Sequence, residues 1–184
     1  GTPVLLGQPG ALLHLLRFAP ERARRPVVAA HFDHGMRPES RADSLWVRGL
    51  CRAWSPSLHS GRAETPPSSE AKARKARFSF LWEILDGIGF RWLLTGHHRD
   101  DQVETVLFRI ARGTGLRGVA GIPVSRAPGL YRPLLGFTRE ELRSYAHAMG
   151  VPFRHDPTNH DLSNPRNLLR HRILPDLERG VSPG

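Results

Sequence analysis

At 184 residues, 39% of them hydrophobic, the chain is long enough for one domain with a sizeable core, and it holds no apolar run that could span a bilayer. A single cysteine, Cys51, excludes an internal disulfide and a cysteine metal cluster. With no basic segment leading into an apolar one at the start of the chain, a cytoplasmic location is expected and a membrane partner is not. Lysine and arginine total 27 against 17 acids, a formal charge of +10 that favours a polyanionic partner, nucleic acid first, although a GC-rich genome also enriches arginine.

Pro3 to Leu6 reads as a short strand, Gly7-Gln8-Pro9-Gly10 as a turn, and Ala11 to Leu16 as the start of a helix. A glycine-containing loop there could offer Gly7 and Gly10 amides to a phosphate, but it equally fits a plain turn, since Pro9 has no amide to donate. Pro26 to Ala30 is a second buried strand, followed by the polar cluster His31-Phe32-Asp33-His34-Gly35-Met36-Arg37. Ser40 to Trp54 is amphipathic, with Leu45, Trp46, Leu50 and Trp54 expected on a core-facing side and Arg41, Arg48 and Arg52 on the other. Ser55 to Ser68 reads as loop apart from a short strand at Leu58 to Ser60, and Ser69 opens a helix whose stripe is Ala73, Ala76, Phe80, Leu81, Ile84 and Leu85. Lys72, Arg74, Lys75 and Arg77 crowd the first half of that helix, where cations oppose the dipole. They fit either an anionic ligand, with Arg77 the candidate contact, or a solvated face.

The densest stretch is Arg91 to Gly118. Trp92 to Leu94 is too short for a helix and reads as a buried parallel strand, the chain turns at Gly96, and from Asp101 onward Val103, Val106, Leu107 and Ile110 recur at helical spacing. His97, His98, Asp100 and Asp101 therefore fall between a strand's carboxyl end and a helix's amino end, the usual ligand position in an open α/β sheet. Because all carboxyl ends of a parallel sheet lie on one side, His31, Asp33 and His34 are expected at the same crevice. Asp101 and Glu104, one turn apart, could instead form a capping box with no chemistry.

Thr114 to Pro133 is punctuated by glycine and proline and reads as loop. Thr138-Arg139-Glu140-Glu141 is a capping box for a helix ending at Gly150. A polar loop over His155-Asp156-Pro157-Thr158-Asn159 precedes a basic helix with Arg166 and Arg170 on one face, suited to gripping phosphate or simply to solvent. Pattern alone therefore predicts a doubly wound α/β domain: a mainly parallel sheet with helices on both faces and a crevice lined by His, Asp, Glu and Arg.

HFDHGMR after the second strand, GHHRDDQVETVLFRIARGTGLRG, RPLL before the capped helix, and HDPTN followed by RNLLRHRILP together resemble the tRNA(Ile)-lysidine synthetases. These belong to the ATP pyrophosphatases with a modified P-loop, whose fold is that of the adenine nucleotide alpha hydrolases. The resemblance runs over nearly the whole chain and implies one catalytic domain, 1–184, with 131–184 as its helical C-terminal part and without the family's C-terminal tRNA-binding region. It implies an ATP- and Mg2+-dependent ligase: the oxygen on carbon 2 of a wobble cytidine is adenylated in tRNA(Ile) with a CAU anticodon, pyrophosphate leaves, and L-lysine then displaces AMP. By the same resemblance Asp101, Glu104 and Arg77 are catalytic, and Gly7, Gly10, His31, Asp33, Gly96 and His97 border ATP. Arg112, Arg166 and Arg170 meet tRNA or phosphate, metal ligands stay unassigned, and a homodimer is left open.

One departure stands out. The family's first strand leads into a Ser-Gly-Gly-x-Asp-Ser loop, and here Leu6-Gly7-Gln8-Pro9-Gly10 runs straight into the helix. Two other readings follow from the residues: a metal-dependent phosphoesterase using His31, Asp33, His97, His98, Asp100 and Asp101, and a non-catalytic tRNA-binding module.

Overall fold

Two short strands set the layers, because neighbouring residues of a strand point to opposite faces of its sheet. In the computed structural model, which describes residues 9–23, 25–36, 40–115, 119–152 and 162–181, these are β1 (Val28–Asp33) and β3 (Leu93–Leu94). Ala29 and Leu94 pack on one side with Leu12 and Leu13 of α1 (Pro9–Arg17), Val47, Leu50 and Cys51 of α2 (Ser40–Trp54) and Leu142 of α5 (Arg139–Ala148). Ala30 and Leu93 pack on the other side with Leu81 and Leu85 of α3 (Glu70–Gly87) and with Leu130. Helices thus cover both faces, as the sequence predicts. Leu12, Leu13, Leu81 and Leu93 are sealed from water, each contributing about 2 kcal/mol.

The strand pairs run parallel where the site forms. β1 pairs with β2 (Ser57–Arg62) from Val28↔Ser57 to Asp33↔Arg62, and β3 pairs in parallel with β5 (Leu130–Tyr131). β4 (Ser125–Arg126) lies antiparallel on the far side of β5. Gly61 lets β2 close on α3, since a Cβ there would stand 2.6 Å from Phe80 Cε2. The predicted first strand, Pro3 to Leu6, the candidate Gly7, Arg37, and the loop holding Asp156 to Asn159 lie outside the described residues.

Several local expectations are corrected. Thr114 to Pro133 is not all loop, for it contains the β4–β5 hairpin, and Ser57–Arg62 extends the short strand expected within Ser55 to Ser68. Trp92 is 40% exposed and precedes the strand, with the Arg91 guanidinium 5.7 Å from its ring centroid. α1 begins at Pro9, a favoured first helical residue because its missing N–H is one a helix start leaves unpaired anyway. The largest difference is in α4 (Arg99–Ala111): Val103 and Ile110 of the expected apolar stripe are exposed, and the buried positions are Glu104 and Thr105. Ionic partners on other elements draw Glu104 inward, which periodicity within one helix cannot register.

The capping box at Thr138 forms as predicted. Thr138 N–H donates to Glu141 Oε2 at 2.7 Å and Glu141 N–H to Thr138 Oγ1 at 3.1 Å, together with the box's effect on α5 of about 1 kcal/mol. The final basic helix is three pieces in one run: α6 (Pro165–Leu168), capped by Asn164, a π turn at Leu169–Ile173, and α7 (Leu174–Val181). Among the described residues no helix is long and apolar enough to cross a membrane.

Candidate active site

His97 stands three residues past the end of β3, and Arg132 follows β5, its parallel neighbour, directly. Thr95 N–H donates to Tyr131 O at 3.0 Å, so the two chain exits are hydrogen-bonded side by side. Thr95 Oγ1 lies 2.9 Å from His97 Nδ1 and orients the ring. Burial lowers the His97 pKa to about 4 against the pull of Asp101, with Arg132, Arg74 and Arg77 pushing it further down. The imidazole is therefore neutral near pH 7, standing between a carboxylate and a group of guanidiniums.

On the carboxylate side, Asp101 does build a cap, but not the expected one. α4 starts two residues earlier, at Arg99, and Asp101 Oδ2 accepts the N–H of His98, the N-cap residue, at 3.0 Å. Glu104 takes no part in that cap. It is 1% exposed and receives Arg170 through Nε at 2.6 Å and Nη2 at 2.9 Å, one bond to each oxygen, with Arg139 Nη2 adding a third at 3.2 Å. Such a fork is the strong form of the ion pair, and the Arg170 guanidinium is held above its ordinary pKa by the hydrogen bonds to Glu104, which outweigh burial. The Arg139 backbone N–H donates to Asp100 Oδ2 at 2.8 Å, so the first turn of α5 is tied to both carboxylates. Asp100 and Asp101 keep partial access to solvent.

At the end of β1, His31 and Asp33 serve the turn more directly than any ligand. Ser44 Oγ donates to Ser40 O at 3.2 Å, so His31 Nε2, 3.0 Å from that Oγ, is the donor between them. Asp33 is buried, which raises its pKa, yet the Gly35 N–H at 2.8 Å, the Ser40 hydroxyl and the Arg62 guanidinium at 3.5 Å together hold it below the usual carboxylate value. His34 is pushed down by burial and then by Arg77. Arg77 thus acts on His34 after β1 and on His97 after β3, so its charge is felt at both turns. Its own pKa is lowered by burial and by Arg74, and its Nε is buried without a partner among the described residues.

The remaining expected residues are scattered around this centre. Gly96 is buried between β3 and His97. Gly10 is buried within α1, where a Cβ would stand 3.3 Å from Pro152 O and from Val151 Cγ1, a close approach that itself calls for glycine. Arg112 and Arg166 are exposed and flank Phe108, their guanidiniums 4.7 and 5.9 Å from its ring centroid. Arg166 and Arg170 do share a face, and that face meets Phe108 and Glu104, one turn apart on α4.

Sequence reasoning missed Arg132 and Arg139. Arg132 is 4% exposed, donating Nη1 to Pro123 O at 2.6 Å. Its signal was the Arg-Pro-Leu-Leu segment, and its position became legible only once Leu130–Tyr131 proved to be a strand. Arg139 was read solely as part of a cap. Among the described residues no three His, Cys, Asp or Glu side chains stand close enough to hold a metal ion, so the six His and Asp residues of the phosphoesterase reading are not gathered into a metal centre.

The chain is similar to known proteins. The chain is 44% identical over 172 residues to the tRNA(Ile)-lysidine synthase of Pseudomonas syringae pv. tomato, covering 90% of this chain and 38% of that protein. It is 41% identical over 169 residues to that of Thermus thermophilus (86% and 32%) and 39% identical over 173 residues to that of Gloeobacter violaceus (92% and 53%). It therefore spans between a third and about half the length of these curated relatives. A U34-tRNA thiolase of Methanococcus maripaludis, solved with a 4Fe-4S cluster, superposes with a TM-score of 0.75 over 98% of this chain and 66% of its own at 13% identity, a likeness of fold alone. The family described as "PP-loop domain" matches residues 10–177, so nearly the whole chain takes part, and by that match the chain belongs to the PP-loop family.

Proposed function

We propose that this chain is the catalytic domain of a tRNA(Ile)-lysidine synthase, using ATP to adenylate the wobble cytidine and L-lysine to displace AMP. The observation that carries the reading is the setting of His97, a neutral imidazole on which the accessible carboxylate of Asp101 and the guanidiniums of Arg132, Arg74 and Arg77 act in opposite senses, with accessible Asp100 next to Asp101 in the chain. Such a site suits a reaction in which a polyphosphate leaves and an amine arrives. The names of relatives sharing about 40% of their residues with it over most of this chain agree.

In the first step the oxygen on carbon 2 of cytidine bonds to the α-phosphorus of ATP, and the bond from that phosphorus to the bridging oxygen breaks to release pyrophosphate. Guanidiniums facing the crevice stabilise the charge that builds on the leaving group. In the second step a lysine amine bonds to carbon 2, AMP leaves with the oxygen, and the amine loses a proton. Asp101, accessible and beside His97, holds that amine, while Glu104, saturated by Arg170 and Arg139, positions Arg170. Asp101 and Glu104 are thus assigned different tasks. A tRNA(Ile) with a CAU anticodon is the assigned partner.

The short Gly7-Gln8-Pro9-Gly10 segment favours a second reading, a domain that binds tRNA without turning over ATP. One assay separates the two. Full-length protein is incubated with ATP, labelled lysine and tRNA(Ile) carrying either cytidine or uridine at the wobble position. Incorporation into the cytidine form alone, with AMP released in equal amount, supports the ligase. RNA retention on the protein with no AMP formed supports the second reading.

A further inference from the structure

The arginines around Glu104 neutralise a carboxylate, whereas Arg74, Arg77 and Arg132 have other arginines as their charged neighbours. Arg74 and Arg77 stand one turn apart on α3, their guanidiniums 4.9 and 6.0 Å from the Phe78 ring centroid. Arg126 lies on β4 opposite Leu130, and Arg132 leaves β5 two residues later with its N–H bonded to Val124 O at 2.8 Å, so one hairpin carries both. Arg132 is almost wholly buried and donates Nη1 to Pro123 O, while its Nε and that of Arg77 are sealed from solvent with no acceptor among the described residues. After burial, the charges that act on Arg74 are Arg166 and Arg126, and those on Arg132 are Arg74 and Arg126.

Cations drawn out of water, as Arg77 and Arg132 are, lose hydration and are repelled by their charged neighbours, a cost that an arriving anion would offset. Guanidinium forks match the oxygens of a phosphate group, which accepts two bonds from each. We infer that Arg74, Arg126 and Arg132, with Arg77 at the inner end, form a seat for phosphate oxyanions opening onto the crevice. The seat rests on the proposed function for the two sources of such groups: the phosphodiester backbone of an RNA strand, or the polyphosphate of a nucleotide.

Arg74→Ala and Arg126→Ala test it, both being exposed positions where the fold is not at stake. In the full-length protein, affinity is measured for an anticodon stem-loop RNA between about 50 and 200 mM salt, and separately for inorganic tripolyphosphate. A loss of about tenfold for RNA, with the logarithmic salt slope shallower by about one per arginine and tripolyphosphate unaffected, assigns the seat to phosphodiesters. The same loss for tripolyphosphate with RNA unaffected assigns it to the nucleotide. Changes below about twofold in both arms for both variants overturn the seat.

A stem-loop of unrelated sequence is titrated alongside, because backbone contacts read no bases. Weakening of both RNAs upholds the seat even if lysine incorporation fails, and keeps the two claims separate. Arg132→Lys, which retains charge but not the fork, is expected to weaken the same arm as Arg74→Ala.

Discussion

The two sides of the crevice use one residue type in opposite circumstances. Arg170 and Arg139 meet Glu104 within 3.2 Å and complete a buried ion cluster, whereas Arg132 is buried with its Nε unpaired among the described residues and with Arg74 and Arg126 as charged neighbours. The first group belongs to the architecture, since it fastens α4 to α5 and to the π turn. The second leaves a charge that only something outside these residues can balance. Net charge cannot tell the two apart, and a formal +10 says nothing about which arginines are already committed.

The strongest way to break this contrast is Glu104→Ala. It leaves two guanidiniums facing a hole, and the loss of one partner of a buried pair costs about 3–5 kcal/mol, to be read from the urea midpoint of unfolding. A loss below about 1 kcal/mol would mean that the cluster is solvated and that the architectural role is wrong.

His97 comes next, as it sits on the boundary. Its folded pKa, about 4, lies below the unfolded value near 6.5, so the unfolded chain binds the extra proton between those limits. Its contribution is complete above about pH 6.5 and lost as pH falls toward 4, at up to about 1.4 kcal/mol per unit and about 3 kcal/mol in all. Urea midpoints from pH 7 to pH 4.5 are expected to fall less steeply in His97→Gln than in the unaltered protein. Parallel slopes would place the ring in water.

Two smaller effects sharpen the comparison. Thr138→Ala removes the cap beneath Arg139 and is expected to cost about 1 kcal/mol, with faster amide exchange in the first turn of α5. Arg132→Met, despite being a change at a buried position, is expected to stay within about 1 kcal/mol of the parent, since the lost bond to Pro123 O is offset by relief of an unpaired buried cation. A large destabilisation there would give Arg132 the same architectural task as Arg170.

Much of this was legible in the chain. Ala29-Ala30 and Leu93-Leu94 announced strands covered on both faces, and Ser69 and Thr138 marked helix starts. What stayed hidden depended on contacts between distant segments. Glu104 reads as the polar side of α4 until Arg170, 66 positions later, is brought to it. Arg132 reads as a loop residue until β5 is paired with β3. Periodicity reports one element against water, whereas ion clusters report one element against another.

The π turn at Leu169–Ile173 has a consequence for how this protein can change. Its wider coil lets Leu169 point into the core while the next residue reaches Glu104. Deleting one amino acid here would tighten the coil and swing every later side chain round by about a quarter-turn or more, parting the guanidinium from its carboxylate. Chain length across these five positions is accordingly more constrained than residue identity, so gaps should be rarer there than substitutions.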